Sequence, residues 1–192
     1  MNTREEWLNA AVDLLKPLYG DKVKFPEVIR VSMGFPPKKG LGKRRVLGIC
    51  CSSNMADDRY PQIYINPTIT EVGGKGGVLS VLAHELIHAC GISGHGKEFR
   101  AVGLYIGLEG NMASSVAGES LVYFFEHIQK KLGSFPHAYL NNVYPNNQKP
   151  DKCRMMKCVC GKCGYTIRIS QKWIDLGIPD CPICNVKLEK EQ

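Results

Sequence analysis

Residues 78–90, VLSVLAHELIHAC, give the strongest indication of the fold. They contain neither glycine nor proline, and their apolar composition predicts a buried helix. The glycines within residues 73–77 predict a loop before this helix, while Gly91 and Gly94 predict its end. Residues four apart share one helical face, so His84 and His88 can direct both imidazoles at one metal ion.

His84, Glu85 and His88 form the pattern HExxH. In zinc peptidases with this pattern the two histidines bind the ion and the glutamate is the general base. Zinc lowers the pKa of a bound water towards about 7, and Glu85 lies beside the face that carries both histidines. The motif therefore predicts hydrolysis of peptide bonds by a metal-bound water, with Glu85 as the catalytic residue. Two structural histidines on a core helix are the alternative interpretation.

A catalytic zinc site needs a third protein ligand and an open position. We favour His95, because the glycines at positions 91 and 94 let the chain turn back towards the helix. The spacing is one residue longer than in metzincins, which would place the histidine at position 94. Glu109 and Glu119, in later predicted helical regions, are the alternative third ligands.

The cysteines are concentrated near the C-terminus, with six of the nine between positions 153 and 184. In a reducing compartment such clustering indicates metal binding rather than disulfides. Cys160 with Cys163 and Cys181 with Cys184 form two CxxC pairs, whose separation is typical of a four-cysteine zinc site. Four thiolates leave no open position, so we predict a structural zinc in a zinc ribbon. Using Cys158 in place of Cys160 is an alternative that breaks the CxxC spacing.

Periodicity along the rest of the chain indicates an α+β fold in two parts, residues 1–150 and 151–192. Predicted helices cover 3–18, 97–108 and 117–132, the first with Thr3 and Glu6 as a capping box. Predicted strands cover 28–33, 46–51 and 62–66, and residues 34–45 and 136–150 are predicted to be a loop and a linker. Cys50 and Cys51 are interpreted as small buried side chains of the second strand.

The composition is that of a folded, basic chain. Hydrophobic residues make up 44% and charged residues 22%, which argues against disorder. No apolar run approaches the roughly 20 residues that span a bilayer, and the N-terminal stretch lacks the apolar region of a signal peptide. We therefore expect a cytoplasmic protein. The net charge of +7 favours a polyanionic partner such as nucleic acid.

Two regions are candidate contacts for DNA. The loop 38–45 holds five cations in eight residues, which suits a phosphate backbone. The cysteine-rich tail mixes cations with aromatic residues, namely Lys157, Lys162, Arg168, Lys172, Tyr165 and Trp173. Such a mixture suits phosphate contact and stacking of single-stranded bases, and it equally suits an ordinary solvated surface.

The run HELIHACGISGHGKEF, residues 84–99, resembles the signature of the SprT-like metallopeptidases, which is HExxH, a short glycine-containing turn and a His-Gly-x-x-Phe segment. The tail also resembles the zinc ribbon that often follows this domain, and the resemblance covers roughly residues 5–190. It implies a zincin-like fold, with a small mixed sheet packed on helices and followed by the ribbon. It also implies that His84, His88 and His95 bind the catalytic zinc, with Glu85 as general base.

The family includes Spartan-type proteases that degrade proteins crosslinked to DNA, so the resemblance implies an endopeptidase with DNA-bound protein substrates. One alternative is a nucleic-acid-binding or regulatory zinc protein whose first metal site is inert. Another is a metal-dependent hydrolase whose substrate is not a protein. The sequence leaves these three hypotheses open. Dependence of hydrolysis on Glu85 separates an enzyme from the inert-site protein, and a substrate screen separates the peptidase from a hydrolase with another substrate.

Overall fold

The computed structural model of the chain describes residues 3–36, 40, 45–140 and 155–191. The chain divides into two compact units, Met1–Asn142 and Val143–Gln192. Most of the predicted basic loop 38–45 and of the predicted linker 136–150 lies outside the described residues.

The helices occur where the sequence predicts them, with shifted ends. They are α1 (Arg4–Leu15, followed by a 3-10 turn Lys16–Tyr19), α2 (Val78–Ala89), α3 (Lys97–Tyr105) and α4 (Glu119–Leu132). The predicted capping box is confirmed, since the Thr3 hydroxyl accepts from the Glu6 amide and the Glu6 carboxylate accepts from the Thr3 amide. The predicted limits 97–108 and 117–132 are wrong at one end each, because Leu108 and Ala117 pair in a short ladder instead.

The main sheet of the first unit is small and mixed. It consists of β1 (Arg30–Met33), β2 (Gly48–Cys51) and β3 (Gln62–Ile65) in the order β1-β3-β2. β1 runs parallel to the central strand β3, whereas β2 runs antiparallel to it and forms one edge. A second ladder pairs β4 (Leu108–Glu109) with β5 (Val116–Ala117).

The apolar face of α2 packs against β2 and β3 in the centre of the first unit. Ile63 and Ile65 alternate with half-buried neighbours along β3 and are fully buried, as expected for one covered face of a sheet. The buried Tyr19 hydroxyl donates to the Ala83 carbonyl at 2.7 Å. This hydrogen bond joins the end of the first helical segment to α2 one residue before His84.

Asn66, directly after β3, anchors the segment that leads into β2. Its side-chain amide donates to the carbonyls of Gly40 (2.7 Å) and Val46 (2.8 Å). Its side-chain oxygen accepts from the amide and hydroxyl of Thr68. Because Asn66 is fully buried, each of these bonds satisfies a group that would otherwise be costly to bury.

The second unit is an antiparallel sheet with one short helix. Its strands are β6 (Met156–Val159), β7 (Thr166–Ile169) and β8 (Glu189–Lys190) in the order β7-β6-β8, and its helix is α5 (Gln171–Leu176). Its buried core consists of three cysteines and one leucine, namely Cys158, Cys160, Cys181 and Leu188. So small a core gives little hydrophobic stabilisation by itself.

The molecule is thus a mixed α+β protein with small sheets and helices. In the part of the chain that the structure describes, no helix has both the length and the apolar character needed to cross a membrane.

Candidate metal centres

Three histidine side chains of the first unit converge on one point. His84 and His88 lie one turn apart on α2, and the chain then turns through Gly91 and Gly94, whose φ angles are +92° and +68°. These left-handed conformations cost glycine little and bring His95 back over the helix. The Nε2 atom of His95 lies 3.0 Å from Nε2 of His84 and 3.2 Å from Nε2 of His88.

The spacing of these nitrogens fits a tetrahedral metal ion. Zinc–nitrogen bonds of about 2.0–2.1 Å in a tetrahedron place two ligand nitrogens about 3.3 Å apart. The three imidazoles offer ligand atoms that all lie within 4.8 Å of one another. The structure therefore brings together the three histidines that the sequence singles out as ligands, in a group that could hold one metal ion.

The Nδ1 atoms of two of these imidazoles have hydrogen-bond partners. Nδ1 of His84 lies 2.8 Å from the Ser115 hydroxyl, and Nδ1 of His88 lies 2.7 Å from the Ile92 carbonyl. A carbonyl only accepts, so the proton of a neutral His88 is on Nδ1 and its Nε2 lone pair faces the cluster. This arrangement, in which the outer nitrogen is held by a partner, is typical of metal-binding histidines.

Phe99 forms the floor beneath the three imidazoles. Its ring is fully buried, and its centroid lies 4.7 Å from that of His84 and 4.8 Å from those of His88 and His95. One aromatic side chain on α3 thus restricts all three rings at once. This contact gives a physical reason for a phenylalanine four residues after His95.

Burial favours the neutral form of two of these histidines, His84 and His95. It is the main cause that lowers the pKa of His84 to about 3, and the neighbouring His88 and His95 add to the effect. Burial and His88 also lower the pKa of His95. Neutral imidazole is the form that binds metal, so the electrostatics of the cluster favours the ligand state.

Glu85 is buried beside the cluster, with a side chain only 6% exposed. Burial raises the pKa of its carboxyl to about 7, while a hydrogen bond from the Cys50 amide of β2 acts in the opposite direction. A divalent cation at the histidines would favour the carboxylate and lower this pKa. Gly48 makes room for the group, because a Cβ at that position would lie 2.9 Å from Oε1 of Glu85.

Two cavities meet at His84 and Glu85. The larger, of about 470 Å³, is lined by all three histidines and by β2 residues that include Cys50. The smaller, of about 310 Å³, lies between the start of β2, α2 and residues 113–116. Glu85, the candidate general base, therefore lies where the two cavities adjoin.

The alternative third ligands are not part of this group. The histidine group of the described residues includes neither Glu109 of β4 nor Glu119 of α4.

Cys50 and Cys51 are half-buried rather than buried as predicted, because β2 is an edge strand beside a cavity. Burial raises the pKa of the Cys50 thiol to about 12, with smaller contributions from Glu85 and nearby cysteines.

The second unit gathers the four cysteines of the CxxC pairs, whose sulfurs all lie within 4.8 Å of one another. The sulfurs of Cys163 and Cys181 are 3.6 Å apart. Zinc–sulfur bonds of about 2.3 Å in a tetrahedron separate sulfurs by about 3.8 Å, whereas a disulfide requires about 2.05 Å. The cluster thus has the dimensions of a four-thiolate metal site.

Both CxxC pairs lie on the same kind of turn. The Gly164 amide donates to the Cys160 carbonyl at 2.9 Å, and the Asn185 amide donates to the Cys181 carbonyl at 2.8 Å. Gly164 and Asn185 have φ angles of +75° and +52°. Glycine adopts this left-handed conformation freely and asparagine tolerates it, so the two turns are locally encoded.

Backbone amides in the first turn favour a thiolate. The amide of Cys163 is the main cause that lowers the pKa of Cys160 to about 7; the Lys162 amide acts in the same direction and burial opposes both. The thiolate is the form that binds metal. Cys158 is buried in β6 and lies outside the four-cysteine group, and Cys153 lies outside the described residues.

The cations and aromatics predicted to contact DNA have different surroundings. Lys172 lies over the ring of Trp173, which is 54% exposed, at 5.3 Å from its centroid. Lys157 forms an ion pair with Glu191 at 2.6 Å, which neutralises much of its charge. Lys162 and Arg168 are exposed, as is Tyr165 at the end of the first turn.

Sequence reasoning missed Ser115, because a serine 31 positions from its histidine partner has no local signal. It also missed that Asn185 takes the place in the second turn that Gly164 takes in the first, which the tolerance of asparagine for positive φ could have indicated. In comparisons with known proteins, no family model, no curated protein and no solved structure matches the chain.

Proposed function

We propose that the protein is a zinc-dependent endopeptidase of the SprT-like type. The observation that carries this proposal is the position of Glu85, a buried carboxyl beside three histidines whose Nε2 atoms converge at the junction of two cavities. If His84 and His88 were only structural histidines on a core helix, the position of His95 close to both of them would have no explanation. The cavities beside the Glu85 carboxyl would have none either.

Each residue of the site has its own role in the proposed hydrolysis of a peptide bond. When bound, zinc supplies Lewis acidity to a substrate carbonyl and a nucleophilic water at neutral pH. Glu85 accepts the proton of the attacking water and transfers it to the leaving amine. Ser115 and the Ile92 carbonyl orient the imidazoles of His84 and His88.

We assign a structural zinc to the four cysteines of the second unit. Four thiolates complete a tetrahedron and leave no position for substrate. The small buried core of this unit supports the assignment, because metal binding then supplies the folding free energy that apolar burial does not.

We further propose that the substrates are DNA-bound or DNA-crosslinked proteins. The net charge of +7 and the exposed Trp173 under Lys172 support a contact with single-stranded DNA. The same two features favour the alternative function, a nucleic-acid-binding or regulatory protein in which the histidine site is inert. Hydrolysis by wild type, and its loss in a Glu85 variant, separates the two functions.

The test compares zinc-loaded wild type, Glu85→Gln and Glu126→Gln, which changes an exposed glutamate of α4. The substrate is a DNA-binding protein, with and without single-stranded DNA. We expect Glu85→Gln to retain its zinc and to lose about 10²- to 10⁴-fold in kcat, because general-base catalysis contributes that much. Glu126→Gln should behave as wild type, and DNA should accelerate cleavage.

Equal activity of wild type and Glu85→Gln across several protein substrates would contradict the peptidase proposal. Cleavage that needs Glu85 but does not respond to DNA would retain the peptidase and remove the DNA-linked substrate. Binding of DNA without any hydrolysis by zinc-loaded wild type would favour the inert-site alternative.

A further inference from the structure

Arg45 lines the smaller cavity beside Glu85, and no ion pair among the described residues includes it. The volume of this cavity is about 310 Å³, and its exposed surface is mainly apolar, with Val46, Leu47, Val81 and Val116 among the lining residues. Arg45, three residues before β2 begins, is also part of the lining. The cavity therefore combines apolar walls with one guanidinium group.

The guanidinium of Arg45 lacks a protein partner within the described ranges. Its Nε atom is buried and has no hydrogen-bond acceptor, and no ion pair of these residues includes Arg45. Glu85 is the one acid in the cavity lining, and its carboxyl is within hydrogen-bond reach of the Cys50 amide rather than of Arg45. No ion pair of the described residues engages the guanidinium, so a carboxylate on a bound molecule would give its charge a partner.

The backbone beside Arg45 is held in place. The carbonyl of Val46 accepts from the Asn66 side chain at 2.8 Å, and the carbonyl of Leu47 accepts from the Asn66 amide at 2.8 Å. Since Asn66 is fully buried, it fixes the chain one residue after Arg45. The guanidinium thus projects from an anchored segment, which reduces the entropy lost when it binds a ligand.

We propose that this cavity is a substrate side-chain pocket in which Arg45 selects an aspartate or glutamate next to the scissile bond. The inference rests on the proposed peptidase function and adds a substrate class to it. A carboxylate can accept two parallel hydrogen bonds from a guanidinium. The apolar walls meanwhile suit the methylene groups of the same side chain.

The size and position of the cavity favour a peptide side chain over a nucleic-acid phosphate. Pockets for small molecules span roughly 300–1,000 Å³, and this cavity lies at the lower limit, which suits a single side chain. It shares His84 and Glu85 with the larger cavity that all three histidines line. A side chain in the smaller cavity therefore belongs to a residue adjoining the peptide bond at the histidines.

The first experiment profiles cleavage sites in a peptide library with the zinc-loaded full chain. Wild type should prefer glutamate or aspartate over glutamine or asparagine at one subsite by about tenfold or more. Arg45→Ala should lose this preference, and Arg45→Glu should shift it towards lysine or arginine. Arg100→Ala, which removes an exposed arginine of α3, should keep the wild-type profile. A wild-type profile without acidic preference would overturn the inference while the peptidase remains.

The second experiment measures binding without hydrolysis, in a Glu85→Gln background. Fluorescence anisotropy compares a glutamate-containing peptide with the same peptide carrying glutamine, before and after Arg45→Ala. We expect the glutamate peptide to bind about tenfold more tightly, and we expect Arg45→Ala to abolish the difference. Equal binding of both peptides would overturn the inference even if no substrate is ever cleaved. Failure of an oligonucleotide to displace either peptide supports the inference. If an oligonucleotide displaces the acidic peptide and its own binding needs Arg45, the cavity is a phosphate site and the inference is overturned.

Discussion

The two candidate metal centres are built in opposite ways. In the first unit, three histidines from α2 and the turn after it leave one side of the cluster open to cavities, with Glu85 beside it. In the second unit, four cysteines on two similar turns surround the metal position completely. Three protein ligands leave a coordination position for chemistry, whereas four leave none.

The centres also differ in what supports them. His84 and His88 lie on a helix that packs in a large apolar core, and His95 lies in the turn after it. Two of the four clustered cysteines, Cys160 and Cys181, make up half of the small buried core of their own unit. A metal bound in the first unit would therefore be an addition to a folded scaffold, whereas one bound in the second unit would be part of the scaffold.

Removal of metal should produce the largest difference between the two units. Structural zinc contributes about 10–16 kcal/mol of binding free energy in zinc-finger peptides, more than a small domain's total stability. We expect a strong chelator to unfold residues 155–191 and to leave α1–α4 and the main sheet folded. Hydrogen exchange of the full chain, read segment by segment, measures this difference.

A variant at each site separates the effect of metal removal from other effects of the chelator. Cys181→Ser should abolish protection in the second unit alone, and His88→Ala should leave protection in both units close to wild type while weakening metal binding in the first. Equal loss of protection in both units after chelation would show that the first unit also needs metal to fold.

Replacement of the aromatic floor should have the next largest effect. Phe99→Ala removes a fully buried ring and should cost about 3–5 kcal/mol of unfolding free energy, as buried phenylalanines generally do. It should also weaken metal binding at the histidines, because all three imidazoles lose the ring they pack on. Urea unfolding and competition with a metal chelator measure the two effects.

Phe125→Ala is the matched control, since Phe125 is equally buried but lies on α4. It should destabilise the fold by a similar amount and leave the metal affinity of folded protein unchanged. If both variants bind metal equally well, the contact with Phe99 is packing alone. Phe99→Leu keeps the measurement possible if the alanine variant does not fold.

The smallest predicted effect concerns Ser115. Loss of an outer hydrogen bond to a metal-binding histidine typically lowers metal affinity by about 10- to 100-fold. Ser115→Ala should do so at the histidine site without changing the cysteine site. Cobalt titration separates the two, because only the four-thiolate site gives a sulfur-to-cobalt charge-transfer band.

Ser115→Thr provides the rescue, since it retains a hydroxyl for Nδ1 of His84. Ser134→Ala, at an exposed position, should behave as wild type. Unchanged affinity in Ser115→Ala would mean that the 2.8 Å contact does not orient the ligand.

Features that depend on neighbouring residues could be predicted from the sequence. Helix α2, the capping box of α1 and the CxxC turns each follow from residues within one or two turns of chain. Helix ends and short strands were predicted less well. Leu108 and Ala117, for example, leave their predicted helices because they pair with each other across an intervening loop.

The candidate ligands of each unit follow from the sequence alone: two imidazoles on one helical face with a carboxylate between them, and two pairs of thiolates on tight turns. Their spacing along the chain is enough, because helix and turn geometry converts it directly into proximity. The partners of these groups depend on the tertiary fold, namely Ser115 behind His84, Phe99 beneath the cluster and Arg45 in the lining of the adjoining cavity. Those contacts join separate elements of the fold, and packing of the whole core sets them rather than any local pattern.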